Sequence, residues 1–285
     1  MSALHPALAA GRTAVITGGA SGIGLAAAKR FAALGMNVVL ADLSAESLSA
    51  AEAEVLAVAT SDARVLSVPT DVADIAAVQA LKAAAYDRFG EVAILMNNAG
   101  TAPGGGPFDH YDGWRKVLGV NLWGVVNGVQ AFAPAMIAQG APAAILNTGS
   151  KQGITSPPGD TAYNVSKAGV KAATEGLAHT LRSTPGCQVT AHLLIPGFVW
   201  TTLTQRSDRT EKPAGAWTAD ETADFMIERM SAGDFYILCP DNDVTRGMDE
   251  KRIAWAAGDL INNRPALSRW HPDYKEAFDA FMAEP

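Results

Sequence analysis

Residues 12–42 read RTAVITGGASGIGLAAAKRFAALGMNVVLAD. Arg12 to Thr17 is a short apolar run of buried-strand type, and it passes directly into a glycine-rich turn. LAAAKRFAAL then follows a helical period, and MNVVLA is a second short apolar run. Strand, glycine turn, helix and strand in this order is the parallel βαβ unit. Gly18, Gly22 and Gly24 let the backbone turn tightly and approach a pyrophosphate, and the amides opening the next helix, around Ser21 and Ile23, can donate to it. The spacing is T-G-x-x-x-G-x-G, distinct from the G-x-G-x-x-G of other dinucleotide folds. Asp42 stands eighteen residues beyond Gly24, where an acidic side chain accepts both ribose hydroxyls of an adenosine. Its charge repels a 2′-phosphate, and Ala20, Ser21 and Leu43 bring no cation to attract one. The reading is NAD over NADP.

The same alternation continues outward. RVLSVPTDV gives a third strand ending at Asp71, and VAILMNNAG a fourth ending in Asn97, Asn98, Ala99 and Gly100. AAILNTG is a fifth that delivers Ser150; QVTAHLLIPG is a sixth ending at Pro196 and Gly197, and FYILCP is the last. Read by itself, Asp71 serves the start of the helix near Asp74. Thr101 to Pro107 and the segment from Phe198 to Gln205 are loops above the strand ends, and Tyr111 to Gln139 is a long helical pattern with Asn121 inside it. Asparagine is a poor interior helix residue because its amide competes for backbone groups. The fold class is therefore α/β: one doubly wound parallel sheet of about seven strands with helices on both faces. Residues 1–285 read as a single domain, with a helical C-terminal extension from about 241 to 285.

The chemistry lies in Asn147 to Lys167, NTGSKQGITSPPGDTAYNVSK. Pro157 and Pro158 end what precedes them, and Asp160 or Thr161 caps a helix that runs to about Arg182. Tyr163 sits in its first turn and Lys167 four residues on, so both side chains leave one face. An ammonium within about 4 to 6 Å favours the phenolate and draws the phenol down toward neutral pH, where it can exchange protons.

Composition bounds the partners. The net charge is -7 with no Lys/Arg cluster, so nucleic acid and anionic membrane are poor partners. Cys187 and Cys239 stand far apart without CxxC or His neighbours, so no metal site is expected. No basic leader before an apolar stretch and no apolar run of spanning length is seen, and a cytoplasmic protein is expected.

Taken together, T-G-x-x-x-G-x-G at Thr17 to Gly24, N-N-A-G at Asn97 to Gly100, Ser150 ahead of Tyr163-x-x-x-Lys167, and Pro196-Gly197 resemble the short-chain dehydrogenase/reductase family over residues 12 to about 240. The resemblance implies that Tyr163 is the acid/base and that Ser150 binds the substrate oxygen. Lys167 would lower the Tyr163 pKa and hold the nicotinamide ribose, and Asn121 would keep its helix locally open for a proton path. It further implies that Asp71 and Val72 contact adenine, that Asn98, Ala99 and Gly100 lie along the cofactor, and that Val199 and Thr201 meet the nicotinamide amide. A homotetramer or homodimer is implied through the Asn121 helix and the helix after Lys167, where Ala168, Gly169, Ala172, Ala173 and Gly176 are small. The expected enzyme is an NAD-dependent dehydrogenase of secondary alcohols, or reductase of ketones, with Gln152, Phe198, Trp200 and the loop around Trp217 walling the substrate. Lys151 reads as a solvated lysine. The alternative is a dinucleotide-sensing regulatory or scaffold protein on the same fold; an epimerase or dehydratase would carry a different glycine turn and a longer chain.

Overall fold

A strand buried at every position needs cover on both faces, which a parallel sheet sandwiched by helices provides. β1 (Thr13–Thr17) is such a strand. In the computed structural model, which describes residues 4–60, 62–205 and 211–284, it leads through α1 (Gly22–Ala33) to β2 (Asn37–Asp42), α2 (Ala45–Val58) and β3 (Val65–Pro69). α3 (Ile75–Phe89) and β4 (Ile94–Asn97) follow, then α4 (Tyr111–Val117), a π-helical segment Leu118–Trp123 and α5 (Gly124–Ala138). β5 (Ala143–Thr148), a short α6 (Gln152–Thr155), α7 (Thr161–Ser183) and β6 (Val189–Ile195) complete the second half. Beyond lie β7 (Val199–Trp200), β8 (Trp217–Thr218), α8 (Ala219–Ser231), β9 (Tyr236–Leu238), α9 (Arg246–Ile261) and α10 (Lys275–Ala283).

The main sheet has seven strands in the order β3-β2-β1-β4-β5-β6-β9, all parallel. The chain winds outward from β1 to β3 and then returns to place β4 on the other side of β1. Strand order reverses there, which opens a crevice at the carboxyl ends of β1 and β4. Alternate strand residues serve opposite layers. Ile16, Leu40, Met96 and Leu146 pack under Phe31, Leu48 and Met226 of α1, α2 and α8, while Val15, Val39, Leu95 and Ile145 meet Leu81, Phe132, Met136 and Leu181 of α3, α5 and α7. Each such side chain contributes about 1.5 to 3 kcal/mol by leaving water.

Local chemistry sets several boundaries. Asp74 caps α3 by accepting from the Ala76 amide, and Gly90 ends it in the left-handed region at φ 78°. The third strand stops at Pro69, short of the expected Asp71: Asp71 turns out of the sheet and accepts from the Ala73 amide at 2.9 Å. The pattern from Tyr111 to Gln139 is interrupted by the π-helical turn around Asn121. β7 and β8 pair in parallel as a separate two-residue ribbon, too short for a hydrophobic period to reveal. Residues 206–210 and 1–3 lie outside the described residues. Among the described residues no helix is long and apolar enough to cross a membrane.

The C-terminal segment builds its own small cluster. Trp255 on α9 takes Phe278 and Phe281 of α10 against its ring, Arg264 lies 4.0 Å over it, and its indole N–H donates to Ser268 Oγ at 2.8 Å. α9 also packs on α6, directly after Ser150.

A histidine pair ties the N-terminal segment to the opposite end of the sheet. His5 Nε2 lies 3.2 Å and His192 Nε2 2.9 Å from Thr190 Oγ1, and His192 Nδ1 is 2.7 Å from the Asp234 carbonyl oxygen. Burial, the neighbouring His192 and Arg12 push His5 down to about 4. Burial also lowers His192, against the pull of its bond to Asp234. Both rings are neutral in the fold but take a proton near pH ~6.5 when unfolded. Their contribution is whole above that pH and is lost as pH falls toward the folded values. The thermal midpoint is expected to drop from pH 7 to pH 5, and in His192→Gln to start lower at pH 7 but drop less; equal slopes in the two proteins would remove the histidines from the explanation.

Candidate active site

Six strand ends converge on one cavity of about 440 Å³. Gly18, Ser21, Gly22 and Ile23 form its floor after β1, and Asp42 and Leu43 close one end after β2. Asp71 and Val72 follow β3, and Asn98, Ala99 and Gly100 follow β4. Ser150, Tyr163, Lys167, Pro196, Gly197, Val199 and Thr201 line the other end.

Two positions of this turn admit only glycine. A Cβ on Gly24 would stand 2.2 Å from the Gly18 carbonyl oxygen, and one on Gly18, itself at φ +64°, would stand 2.8 Å from Ala99 Cα. Gly24 thus does not line the cavity; it lets α1 close on the turn. Ser21 forms no side-chain cap and α1 has no acidic residue in its first turn, so the helix's opening amides could receive an anionic group without internal competition. Asp42 is fixed by accepting from the Ala20 amide at 3.1 Å and the Leu43 amide at 2.8 Å, which leaves lone pairs on both oxygens. A glycine floor, a free helix N-terminus and a braced carboxylate fit an extended dinucleotide.

Asn98 ties this floor to the end of the cavity lined by Tyr163 and Lys167. Its Nδ2 donates to the carbonyls of Thr17 and Gly18, its backbone N–H donates to Thr17 Oγ1 at 3.0 Å, and its Oδ1 accepts from Thr148 Oγ1 at 3.3 Å. Lys167, buried, donates from Nζ to the Thr148 carbonyl at 2.8 Å and lies 5.7 Å from the Tyr163 ring centroid. Burial draws its ammonium down to about 8. The Tyr163 phenol is raised, chiefly by burial and further by Asp160, with the Ser150 hydroxyl opposing. This reverses the expected depression: the Lys167 ammonium is bonded to Thr148, and desolvation of the phenolate prevails over the Ser150 hydroxyl.

Asn121 is fully buried and does not line the cavity. Its Oδ1 accepts from Thr101 N at 2.7 Å, and its Nδ2 donates to Thr101 O and to Ser166 Oγ, both at 3.1 Å. The amide thereby pins the strand-end loop to α7. Asp160 does the same from the other side. Its carboxylate caps Tyr163 N at 3.1 Å and also accepts from Gly104 N at 2.9 Å and Gly105 N at 3.1 Å, so one side chain sets both the tyrosine's helix and the adjoining loop.

Three expected substrate residues fall elsewhere. Gln152 is exposed and opens α6, where its N–H donates to Ser150 Oγ at 3.2 Å. Phe198 offers its carbonyl to Trp217 N, and Trp200 pairs with Thr218 in the ribbon, so neither forms part of the cavity wall. In their place the wall carries Thr101, Lys116, Val120, Thr202, Leu203 and Thr204. Thr202 to Thr204 follow Thr201 directly and adjacency could have found them; Lys116, one helical turn before Val120, gave no signal of its own. Lys151 is not solvated: its ammonium is 2.6 Å from Asp249 and 3.3 Å from Asp241, with all three side chains largely buried.

The sequence matches the short chain dehydrogenase family over residues 12–212. It is 32% identical over 269 residues to the 1-deoxy-11-beta-hydroxypentalenate dehydrogenase of Streptomyces arenae, covering 91% of this chain and 93% of that one. A short chain dehydrogenase/reductase from Burkholderia phymatum, solved in complex with NAD, superposes with a TM-score of 0.79 at 35% identity, covering 90% of this chain and 96% of its own. A metagenomic short-chain oxidoreductase in complex with NADP gives a TM-score of 0.66 at 28% identity, covering 81% and 98%.

Asp160→Ala removes a helix cap worth about 0.5 to 2 kcal/mol and strands two loop amides. The thermal midpoint is expected to fall by several degrees and amide exchange at Gly104 and Gly105 to quicken; an unchanged exchange rate there would mean that the loop is held by other contacts.

Proposed function

This chain belongs to the short chain dehydrogenase family, and we propose that within it the protein is an NAD-dependent enzyme moving hydride between a secondary alcohol or ketone and the nicotinamide, with Tyr163 handling the proton. The observation that carries the reading is the shared cavity: Ser150, Tyr163 and Lys167 at one end, and at the other a glycine floor and a braced Asp42. The nicotinamide, when bound, supplies the hydride chemistry. The chain's residues position, polarise and exchange one proton.

In reduction the raised phenol is the form needed, since it enters protonated and gives its proton to the developing alkoxide. Ser150 holds the same oxygen, and Lys167 sits where it can bond ribose hydroxyls and steady the phenolate as it forms. In oxidation Tyr163 must first lose its proton, so that direction gains with rising pH. Asp71 and Val72 would bound the adenine, Asp42 would take the adenine ribose, and Val199 and Thr201 the carboxamide.

Asp42 and the exposed Leu43 support NAD, as does the NAD complex of the Burkholderia relative, although Lys116 also reaches the wall. The name of the Streptomyces relative, a dehydrogenase of a hydroxylated compound, supports an alcohol, and Leu203 and Val199 offer it an apolar side. One domain spans the chain in this reading. Trp123 and Val165 are exposed on the Asn121 and Tyr163 helices beside exposed Ala168 and Ala172, which supports pairing of copies through that face.

With a panel of secondary alcohols and NAD, Tyr163→Phe is expected to lower turnover by about 10² or more while NAD still binds. Turnover of the unmodified enzyme in oxidation is expected to climb from pH 7 toward pH 10. Retention of a tenth of the turnover by Tyr163→Phe would take the proton away from this residue.

Cofactor choice is a separate test. A 2′-phosphate near ~4 Å from Asp42 costs up to ~4 kcal/mol at an effective dielectric of ~20, part of it relieved by water. A remainder of ~2 kcal/mol corresponds to about 30-fold preference for NAD. Asp42→Ser with Leu43→Arg is expected to narrow or invert the ratio of the two kcat/KM values, and equal use of NADP by the unmodified enzyme would overturn the reading of Asp42.

A further inference from the structure

The residue after Ser150 is a buried lysine held by two buried carboxylates. Lys151 Nζ lies 2.6 Å from Asp249 of α9 and 3.3 Å from Asp241, which follows β9; its side chain is 17% exposed and theirs 6%. The same lysine donates its backbone N–H to the Pro196 carbonyl at 3.2 Å. Asp241 Oδ2 also accepts from Phe198 N at 3.3 Å, and its Oδ1 accepts from Asp243 N at 3.2 Å and Val244 N at 2.8 Å. Gly197 passes directly over the cluster, since a Cβ there would stand 2.5 Å from Asp241 Oδ2 and 2.8 Å from Lys151 Nζ. Ser150 is fixed on the far side of the lysine by the Gly153 amide, which donates to its carbonyl at 3.0 Å, and by α6, which packs on α9.

As a source of stability this arrangement is weak, because each buried ion loses several kcal/mol of hydration, and apolar side chains of like volume often serve as well. What charged groups add is direction. An ammonium paired with two carboxylates fixes where the chain must stand at 151, at 197 and at 249 together. Both flanks of the reacting end, Ser150 and the Pro196 to Phe198 turn, hang on that point.

We infer that Lys151 and Asp249 are positioning residues, through which the C-terminal helix α9 holds Ser150 and the Pro196 to Phe198 turn in place at the reacting end. The inference rests on the reading of Ser150 and Tyr163 given above. It gives the C-terminal extension a part in catalysis with no residue of its own on the cavity wall.

The test compares Asp249→Asn, Lys151→Met, Lys151→Arg and the double variant Lys151→Met with Asp249→Leu. Measured are kcat and KM for the alcohol, the NAD Kd by calorimetry, the thermal midpoint, and amide exchange at 149–154 and 196–199. Small displacements of reacting groups cost large factors in rate, so Asp249→Asn and Lys151→Met should each lower kcat about tenfold or more, with NAD Kd held within about threefold. Lys151→Arg should keep about a third of kcat, and the double variant should lose no more than Lys151→Met alone, because the two act through one contact. Faster exchange in the two segments, with β1 unchanged, should accompany the loss. Single variants that keep more than half of kcat, losses that multiply in the double variant, or a kcat that falls only with the folded fraction would each overturn the inference. Where a single variant does not fold, the double variant decides: folded and slow supports positioning, whereas folded and fully active, or unfolded, overturns it. If the unmodified enzyme turns over no alcohol, the proposed reaction fails; exchange in the two segments then still tests the anchor, and unchanged exchange in Asp249→Asn overturns it.

Discussion

The constraint on which the cavity depends is the space between α1 and the end of β1. With room for no side chain at Gly24, the helix closes until the Gly18 carbonyl meets it, and the Asn98 amide then bonds the carbonyls of Thr17 and Gly18. That side chain is the hinge between the two halves of the sheet. Through Thr148 it continues to β5, and the Thr148 carbonyl holds Lys167. A run of short polar contacts thus joins the glycine floor to the lysine at the other end of the cavity. Loosening the first contact moves the last, because Thr17, Thr148 and Lys167 are buried, Gly18 and Asn98 partly so, and polar groups withdrawn from water have few alternative partners.

The two groups at the reacting end are displaced in opposite senses by one cause. Burial disfavours charge on both, raising the phenol of Tyr163 and drawing the ammonium of Lys167 down to about 8. The neutral phenol is therefore the resting form, suited to give a proton. In the proposed reaction a newly formed phenolate would be steadied by the charge on Lys167, which is present at pH 7. The pair is poised to share one proton's worth of change, with desolvation strengthening every later interaction.

The elements legible in the sequence are those fixed by short-range geometry. Glycines that a turn requires, an acid at a strand tip, and Tyr163 and Lys167 one helical turn apart all depend on nearest neighbours, and the sheet follows from strand and helix alternation. What could not be read depends on approach between distant segments. Asp160 is recognisable as a helix cap, but its bonds to Gly104 and Gly105 come from a loop more than fifty residues away. Lys151 looks like a surface lysine until β9 and α9 bring Asp241 and Asp249 to it. Phe198 and Trp200 have the character of a substrate wall, yet the ribbon with Trp217 and Thr218 takes them out of it. A hydrophobic side chain in a loop carries no label for the surface it will meet.

The wall that remains consists of two loop segments on a rigid base, and they are fastened differently. Thr101 is clamped by Asn121 and the glycines beyond it by Asp160, so that side is set by buried or capping groups of α5's approach and α7. On the other side Thr204 folds its segment onto itself, its hydroxyl donating to the Val199 carbonyl at 2.7 Å and accepting from Thr201 N at 2.9 Å, while Leu203 between them stays 42% exposed. Leu203 lines the cavity and keeps part of its apolar surface uncovered. Under the proposed function, substrate bulk would cover that surface and selectivity would reside at Leu203, whereas the proton and hydride steps would depend on groups whose positions the sheet dictates.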